Sequence, residues 1–246
     1  MSIVSTDWLI DNMDKVKLID SSWHLPNQKR NPKKETVPSF KRLNYDMAYI
    51  YFKLKEYDYA LQYFKNFDLD NSSFDPSYQR DTYLRIGDCH FGLKQYWPAM
   101  ENYNTSIALN QKLGAYPNFQ KAISYGFVDR NFKKISTLEK LITNYPDDDL
   151  IDDALFELAL VYSEEKQYKK SISTYDQLIS SYEISPYIGK AALNKGLILY
   201  NQEKYELAVR VLEDVAISFF KYEIGLQAIT TLKEIAIDQG LSLIHI

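Results

Sequence analysis

Cysteine and histidine are almost missing from this chain. Cys89 is the sole cysteine, and His24, His90 and His245 are the only histidines among 246 residues. One thiol cannot close an intrachain disulfide, and three histidines far apart in sequence lack the clustered spacing of a metal site. No metal and no cofactor are therefore expected. Glycine and proline number only 8 each, too few for the many tight turns of an all-β fold, so helices are favoured. The sequence has no Gly-rich phosphate loop, no nucleophile elbow, and no repeated pairing of carboxylates or histidines suited to acid–base work. No catalytic residue is assigned, and no small-molecule substrate is expected.

Excess positive charge is also missing. Lys and Arg total 29 against 33 Asp and Glu, a net charge of −4, so no global pull toward nucleic acid or anionic lipid is expected. No apolar stretch approaches the ~18 residues of a membrane-spanning helix. The first residues lack the basic start and apolar run of a signal peptide, which predicts a cytoplasmic location for the chain as it stands.

What remains is ordinary globular material with one excess. Hydrophobic residues make up 46% and charged residues 25%, which argues against a disordered chain. Tyr occurs 21 times. Its large ring and polar tip suit helix packing and binding surfaces.

From about residue 39 a pattern recurs. A small residue is followed three positions later by a bulky one, and a second small residue lies twelve positions after the first. A bulky residue follows four later, and in most copies an apolar one three after that. The copies read Ala48, Tyr51, Ala60, Phe64, Phe67, then Gly87, His90, Ala99, Tyr103, Ser106. The third is Ala122, Tyr125, Lys134, Leu138, Leu141, and the fourth Ala159, Tyr162, Ser171, Tyr175, Leu178. The fifth is Gly196, Leu199, Ala208, Leu212, Val215. The first markers, at 48, 87, 122, 159 and 196, recur at the period of a stacked array of supersecondary units.

Each copy reads as two helices. Ala154, Leu155, Leu158, Ala159 and Tyr162 fall on one helical stripe, and Ile172, Tyr175, Leu178, Ile179 and Tyr182 on a second. The polar residues 164–167 separate them. Acidic residues 147–149 should cap the first helix and suit its positive end. Pro98 sits where a second helix should begin, and Pro146 and Pro186 punctuate exits. The small residues let two helix backbones cross about 8–10 Å apart. Lys134 breaks that rule, which makes the third unit the weakest copy and its preceding loop, 111–118, a candidate kink. Residues 224–240 read as a final capping helix.

These residues resemble the tetratricopeptide repeat signature over about residues 40–240. The resemblance implies an all-α solenoid, a right-handed superhelix of about five helix–turn–helix repeats with a concave inner face. Units three to five, typified by residues 144–179, resemble the arrays of bacterial cell-envelope scaffold proteins, so a periplasmic or outer-membrane-associated parent is a second expectation. Residues 1–38 stand outside the array. Within 1–35, TDWL (6–9), VKLIDSSW (16–23) and HLPNQKRNPKKE (24–35) resemble the start of a thiosulfate or 3-mercaptopyruvate sulfurtransferase, read as helix, strand and loop. That rhodanese-like family would continue to a catalytic cysteine in an anion-binding loop. Cys89 instead lies within a helical repeat, so the segment is expected to be inert. Residues 241–246, LSLIHI, resemble translated sequencing adapter, and together the two unmatched ends suggest a chimeric reading frame.

Cys89 and His90 are expected to pack in their repeat. Residues 147–149 with Asp152 and Asp153 form an acidic cluster, read as a solvated helix start rather than a calcium loop, which would need alternating ligands and a turn-making glycine. Lys29, Arg30, Lys33, Lys34, Lys41 and Arg42 read as a solvated basic linker, with anionic-surface binding as the alternative.

In tetratricopeptide proteins the first helix of each unit lines the concave face. Carried onto this chain, those positions are Tyr45, Tyr49 and Phe52; Leu84, Asp88 and Phe91; Tyr116 and Phe119; Phe156 and Leu160; and Leu193, Leu197 and Tyr200. Aromatic side chains are common interface anchors, although packing between units is the competing role for half of these. Clamps for acidic chaperone tails in this family use Lys and Asn where Tyr45 and Tyr49 stand, so that mode is excluded. The expected function is a non-catalytic scaffold for a protein or peptide partner. The alternatives are a sulfurtransferase fragment without activity and a structural spacer of an envelope assembly.

Overall fold

The computed structural model describes residues 32–67 and 75–240, with only the backbone of 32–41 and 113. Helices pair along the chain: α1 (Pro32–Lys53) with α2 (Tyr57–Asn66), α3 (Pro76–Gly92) with α4 (Tyr96–Leu109), and α5 (Ala115–Phe127) with α6 (Asn131–Asn144). Then come α7 (Ile151–Glu164) with α8 (Tyr168–Ser181), α9 (Ile188–Asn201) with α10 (Tyr205–Ser218), and the closing α11 (Glu223–Asp238). Each helix packs on the next in sequence, and no strand occurs among the described residues. This is the all-α solenoid that the periodicity predicts.

The repeat markers are the core. Ala48, Ala60, Phe64, Ala99, Tyr103, Ala122, Leu138, Ala159, Tyr175, Leu178, Ala208 and Leu212 are fully buried. Each buried Leu or Phe among them contributes roughly 1.5–3 kcal/mol of transfer free energy. Their order follows a steric rule. A Cβ on Gly87 would stand 2.6 Å from the Tyr103 ring, and one on Gly196 equally close to Leu212, so a bulky residue sixteen positions on fills the space above each small one. Ser106, at an apolar position, donates its hydroxyl to the Arg80 carbonyl at 3.1 Å, and Ser171 donates to Ala159 at 2.7 Å.

The turn inside each unit is the same device five times. Lys55, Lys94, Asp129, Lys166 and Glu203 all adopt positive φ, between 55 and 62°. Beside each, two backbone bonds close the preceding helix, for example Gln95 N–H to His90 and Lys94 N–H to Phe91. This is the Schellman arrangement, which normally uses glycine at the left-handed position. Here charged residues occupy it. The bulky marker three after each first small residue is the residue whose carbonyl receives the bond from the N–H five residues on. At His90 the side chain also pairs with Gln95, Nδ1 to Oε1, at 2.7 Å, a role for a histidine where three other copies carry tyrosine.

Four expectations are changed or refined. The third unit folds like the others because Gly126 stands where Phe52, Phe91 and Tyr200 stand elsewhere. The Lys134 stem passes against it, and its Nζ reaches Glu157 at 2.7 Å. The preceding loop forms a short 3-10 turn, Gln111–Leu113, and Tyr145 donates its hydroxyl to the Gln111 carbonyl at 2.6 Å. At the start, α1 begins at Pro32, so residues 32–35 are helical rather than loop; proline fits a first helical turn because its missing N–H has no partner there. The acids 147–149 cap only in part: Asp148 accepts the Leu150 N–H at 3.1 Å, while Leu150 occupies the cap position.

The rest of the sulfurtransferase-like segment, His24, Lys29, Arg30, His245 and residues 241–246 lie outside the described residues. Arg42 is exposed and pairs with Asp46 at 3.6 Å. Among the described residues no helix is long and apolar enough to cross a membrane, and no three His, Cys, Asp or Glu side chains converge as a metal site.

Candidate functional site

The first helices carry two neighbouring constellations. The one nearer the start of the array joins α1, α3, α4 and α5. Tyr45 donates to Asp81 Oδ2 at 2.6 Å, and the Tyr49 hydroxyl reaches the same oxygen. Arg85 lies between two acids. Its Nε donates to the Tyr49 hydroxyl at 3.1 Å and lies 3.5 Å from Asp81, and its Nη1 donates to Asp88 Oδ2 at 2.8 Å. Asp88 Oδ1 accepts from Tyr103 at 3.0 Å and from Tyr116 at 3.2 Å. The guanidinium also stands over the rings of Tyr49 and Phe52, 5.8 and 5.6 Å from their centres.

Burial raises the Asp88 carboxyl above the usual range despite the Arg85 charge beside it. Burial, reinforced by Asp81, likewise raises the Tyr45 hydroxyl. Both Asp88 oxygens accept hydrogen bonds within the fold, and the network ties three units together.

The second constellation is a hollow of about 330 Å³. Phe91 reaches it from α3, and Phe119, Gln120 and Ile123 from α5. Asp153, Phe156 and Glu157 come from α7, and Tyr187 from the loop before α9. Phe156 and Tyr187 stack with ring centres 4.8 Å apart. Tyr187 donates its hydroxyl to Asp153 Oδ1 at 2.6 Å, and that bond to the carboxylate is the main cause pushing the Tyr187 hydroxyl up to about 12. Next to it, Ser185 donates to Asp152 at 2.6 Å, so the acids at the start of α7 fasten the loop of the following unit. Lys134 gives its ammonium to Glu157, whereas Asp153 makes no ion pair among the described residues.

Of the residues expected on the concave face, Tyr45, Tyr49, Phe52, Asp88 and Tyr116 meet in the first constellation and Phe91, Phe119 and Phe156 in the second. Leu84, Leu160, Leu193, Leu197 and Tyr200 belong to neither. Leu84, Asp88 and Leu193 are buried and serve packing, while the others are half-buried. Tyr200 donates to Asp238 at 2.9 Å, bracing α9 on α11.

Asp81, Arg85, Gln120, Ile123, Glu157 and Tyr187 were not among the expected site residues, and Asp153 was expected only as part of a solvated acidic helix start. A signal existed for several of them. Asp81, Arg85 and Asp88 follow one another at i, i+4 and i+7, as do Asp153, Glu157 and Leu160, on the stripe that carries the expected aromatics. Cys89 is fully buried in α3, and burial pushes its thiol up to about 12, which suits a packed side chain and not a nucleophile.

The tetratricopeptide repeat family matches residues 153–183, within α7 and α8 and the loop after them. That match lends no support to the sulfurtransferase resemblance of residues 1–35. No curated protein matches the sequence. Among solved structures, the MamA protein superposes with a TM-score of 0.62 at 20% identity, over 76% of this chain and 97% of MamA. MamA from Desulfovibrio magneticus RS-1 gives 0.58 at 16% identity, over 71% and 92%. YrrB, described as a TPR protein with an unusual peptide-binding site, gives 0.59 at 15% identity, over 81% and 94%. Identities this low speak for the fold alone. Repeat period, turn geometry and these likenesses together make the described chain an all-α tetratricopeptide solenoid, with a tetratricopeptide repeat at residues 153–183.

Proposed function

We propose that the chain is a non-catalytic scaffold that binds a protein or peptide partner along the concave face of its array. The observation that carries this reading is the run of half-buried aromatic side chains on successive first helices, Tyr49 and Phe52, Phe91, Phe119 and Phe156, held in place by the two constellations. Rings that are partly covered and packed against neighbouring rings lose little side-chain freedom on binding, which favours them as anchors. The description of YrrB as peptide-binding agrees with this reading, and the buried state of Cys89 fits a chain without thiol chemistry.

The test is capture of partners from lysate by the full chain beside a Tyr49→Ala/Phe156→Ala variant whose helix content is unchanged. A partner lost in the variant supports the concave face; a partner retained moves the site elsewhere. Thiocyanate formation that disappears on Cys89→Ser would overturn the non-catalytic reading.

One observation favours a second reading, a structural array that associates through its end. Ile217, Phe220, Tyr222, Leu226 and Ile237 are all well exposed around α11. Concentration-dependent sedimentation that Leu226→Lys/Ile237→Lys abolishes would support it.

A further inference from the structure

We propose that the hollow between α3, α5 and α7 is a receptor for an arginine side chain of the bound segment. This rests on the scaffold reading and names the chemistry its partner presents. The lining joins two features that each favour a cation. Phe91, Phe119, Phe156 and Tyr187 surround the space with aromatic rings, whose faces are electron-rich. Asp153 and Glu157, one helical turn apart on α7, supply carboxylates at the same wall.

The charge ledger of the wall is one-sided. Lys134 is the cation that meets it, and its ammonium is bound to Glu157 from the buried side of α6. Among the described residues the Asp153 carboxylate accepts only the Tyr187 hydroxyl, on Oδ1, while the Asp153 backbone N–H donates to the Asp152 carboxylate. Asp152 adds a further negative charge, with Ser185 as its hydroxyl donor. Acids therefore outnumber bases at the wall.

An apolar side chain seated here would cover Asp153 and Glu157 without replacing the water on them, at a cost in desolvation. An acidic side chain would meet like charge. A cation meets both carboxylate and ring. A guanidinium fits better than an ammonium because it is planar, can lie against the Phe156–Tyr187 stack, and presents several donors to carboxylates.

The geometry allows a clean test. Asp153→Asn keeps an acceptor for Tyr187, and Glu157→Gln keeps one for Lys134, so the charge can be removed while the bracing bonds stay. The full chain is titrated with N-acetyl-arginine-N-methylamide, following the ring signals of Phe156 and Tyr187 and the methyl signals of Ile123 by NMR. The expected result is saturable shifts at these residues in about the millimolar range, absent with the neutral citrulline analogue. The double variant, with an unchanged melting temperature, is expected to bind about tenfold more weakly, the loss of one charge-assisted contact. Equal shifts with citrulline, undiminished binding by the double variant, or no saturation at these residues would overturn the proposal. If partner capture through the concave face survives while the arginine titration fails, the scaffold reading stands and the arginine receptor alone is lost.

Discussion

The five left-handed turns make a quantitative prediction. An L residue at positive φ costs roughly 1–2 kcal/mol, because Cβ crowds the following carbonyl. Glycine removes that cost but adds conformational freedom to the unfolded chain, worth about 0.5–1 kcal/mol. Replacing one such residue by glycine should therefore stabilise the array by about 0.5–1 kcal/mol. Lys94, Lys166 and Glu203 are the best sites, since they have φ of 59, 57 and 57° and are exposed. For a chain of this size each kcal/mol is worth about 2–4 °C. The triple variant Lys94→Gly/Lys166→Gly/Glu203→Gly should melt roughly 3–12 °C higher by far-UV circular dichroism, with a matching rise in urea midpoint. Lys140→Gly, on an exposed face within α6, is the control and should cost about 1 kcal/mol. A triple variant that melts at or below the parent temperature, with the control behaving as expected, would refute the reasoning: the turn residues would then contribute interactions larger than their backbone strain.

Other consequences are as direct. Gly87→Ala should destabilise the array by about 1–3 kcal/mol in urea, because the new methyl meets the Tyr103 ring, and adding Tyr103→Leu should recover part of that loss. Gly126→Phe should be harmful alone, because the Lys134 stem fills that space, and better tolerated with Lys134→Ala; a coupling energy below about 0.5 kcal/mol in that double-mutant cycle would contradict the packing account. The Cys89 thiol, raised by burial to about 12 against about 8.5 in an unfolded chain, should resist alkylation in the native state at pH 8 and react on unfolding. Since its folded value is the higher one, its contribution to stability is complete below about pH 8.5 and is lost as pH rises toward 12. Tyr175, raised chiefly by burial, and Tyr187, raised chiefly by Asp153, both to about 12, act in the same direction above about pH 10. Urea midpoints should therefore fall between pH 8 and 11, and less steeply in Cys89→Ala.

Much of the architecture was legible in the residues alone. Side chains three and four apart share a helix face, so Ala159, Tyr162, Ser171 and Tyr175 announce two packed helices without any knowledge of their neighbours. Local spacing is enough because each unit is closed by contacts within about twenty residues, such as Tyr103 over Gly87. That also explains why the weak third copy folds. Its substitution at Lys134 is matched within the unit by Gly126, a compensation visible only once the two side chains are seen to share one space.

The candidate site was a different matter. The aromatic stripe was visible, but Asp153 read as an ordinary acid at a helix start, and the sequence did not tell which concave-face positions pack instead, as the buried Leu84, Asp88 and Leu193 do. The reason lies in the separation of the partners. Tyr45 meets Asp81 across 36 residues, Tyr116 meets Asp88 across 28, and Tyr187 meets Asp153 across 34. Helical periodicity tells which side of its own helix a residue takes. Which residues of the next unit it meets depends on how far each helix pair is rotated and shifted against its neighbour, and that is set by side-chain packing between units, which only the tertiary structure decides.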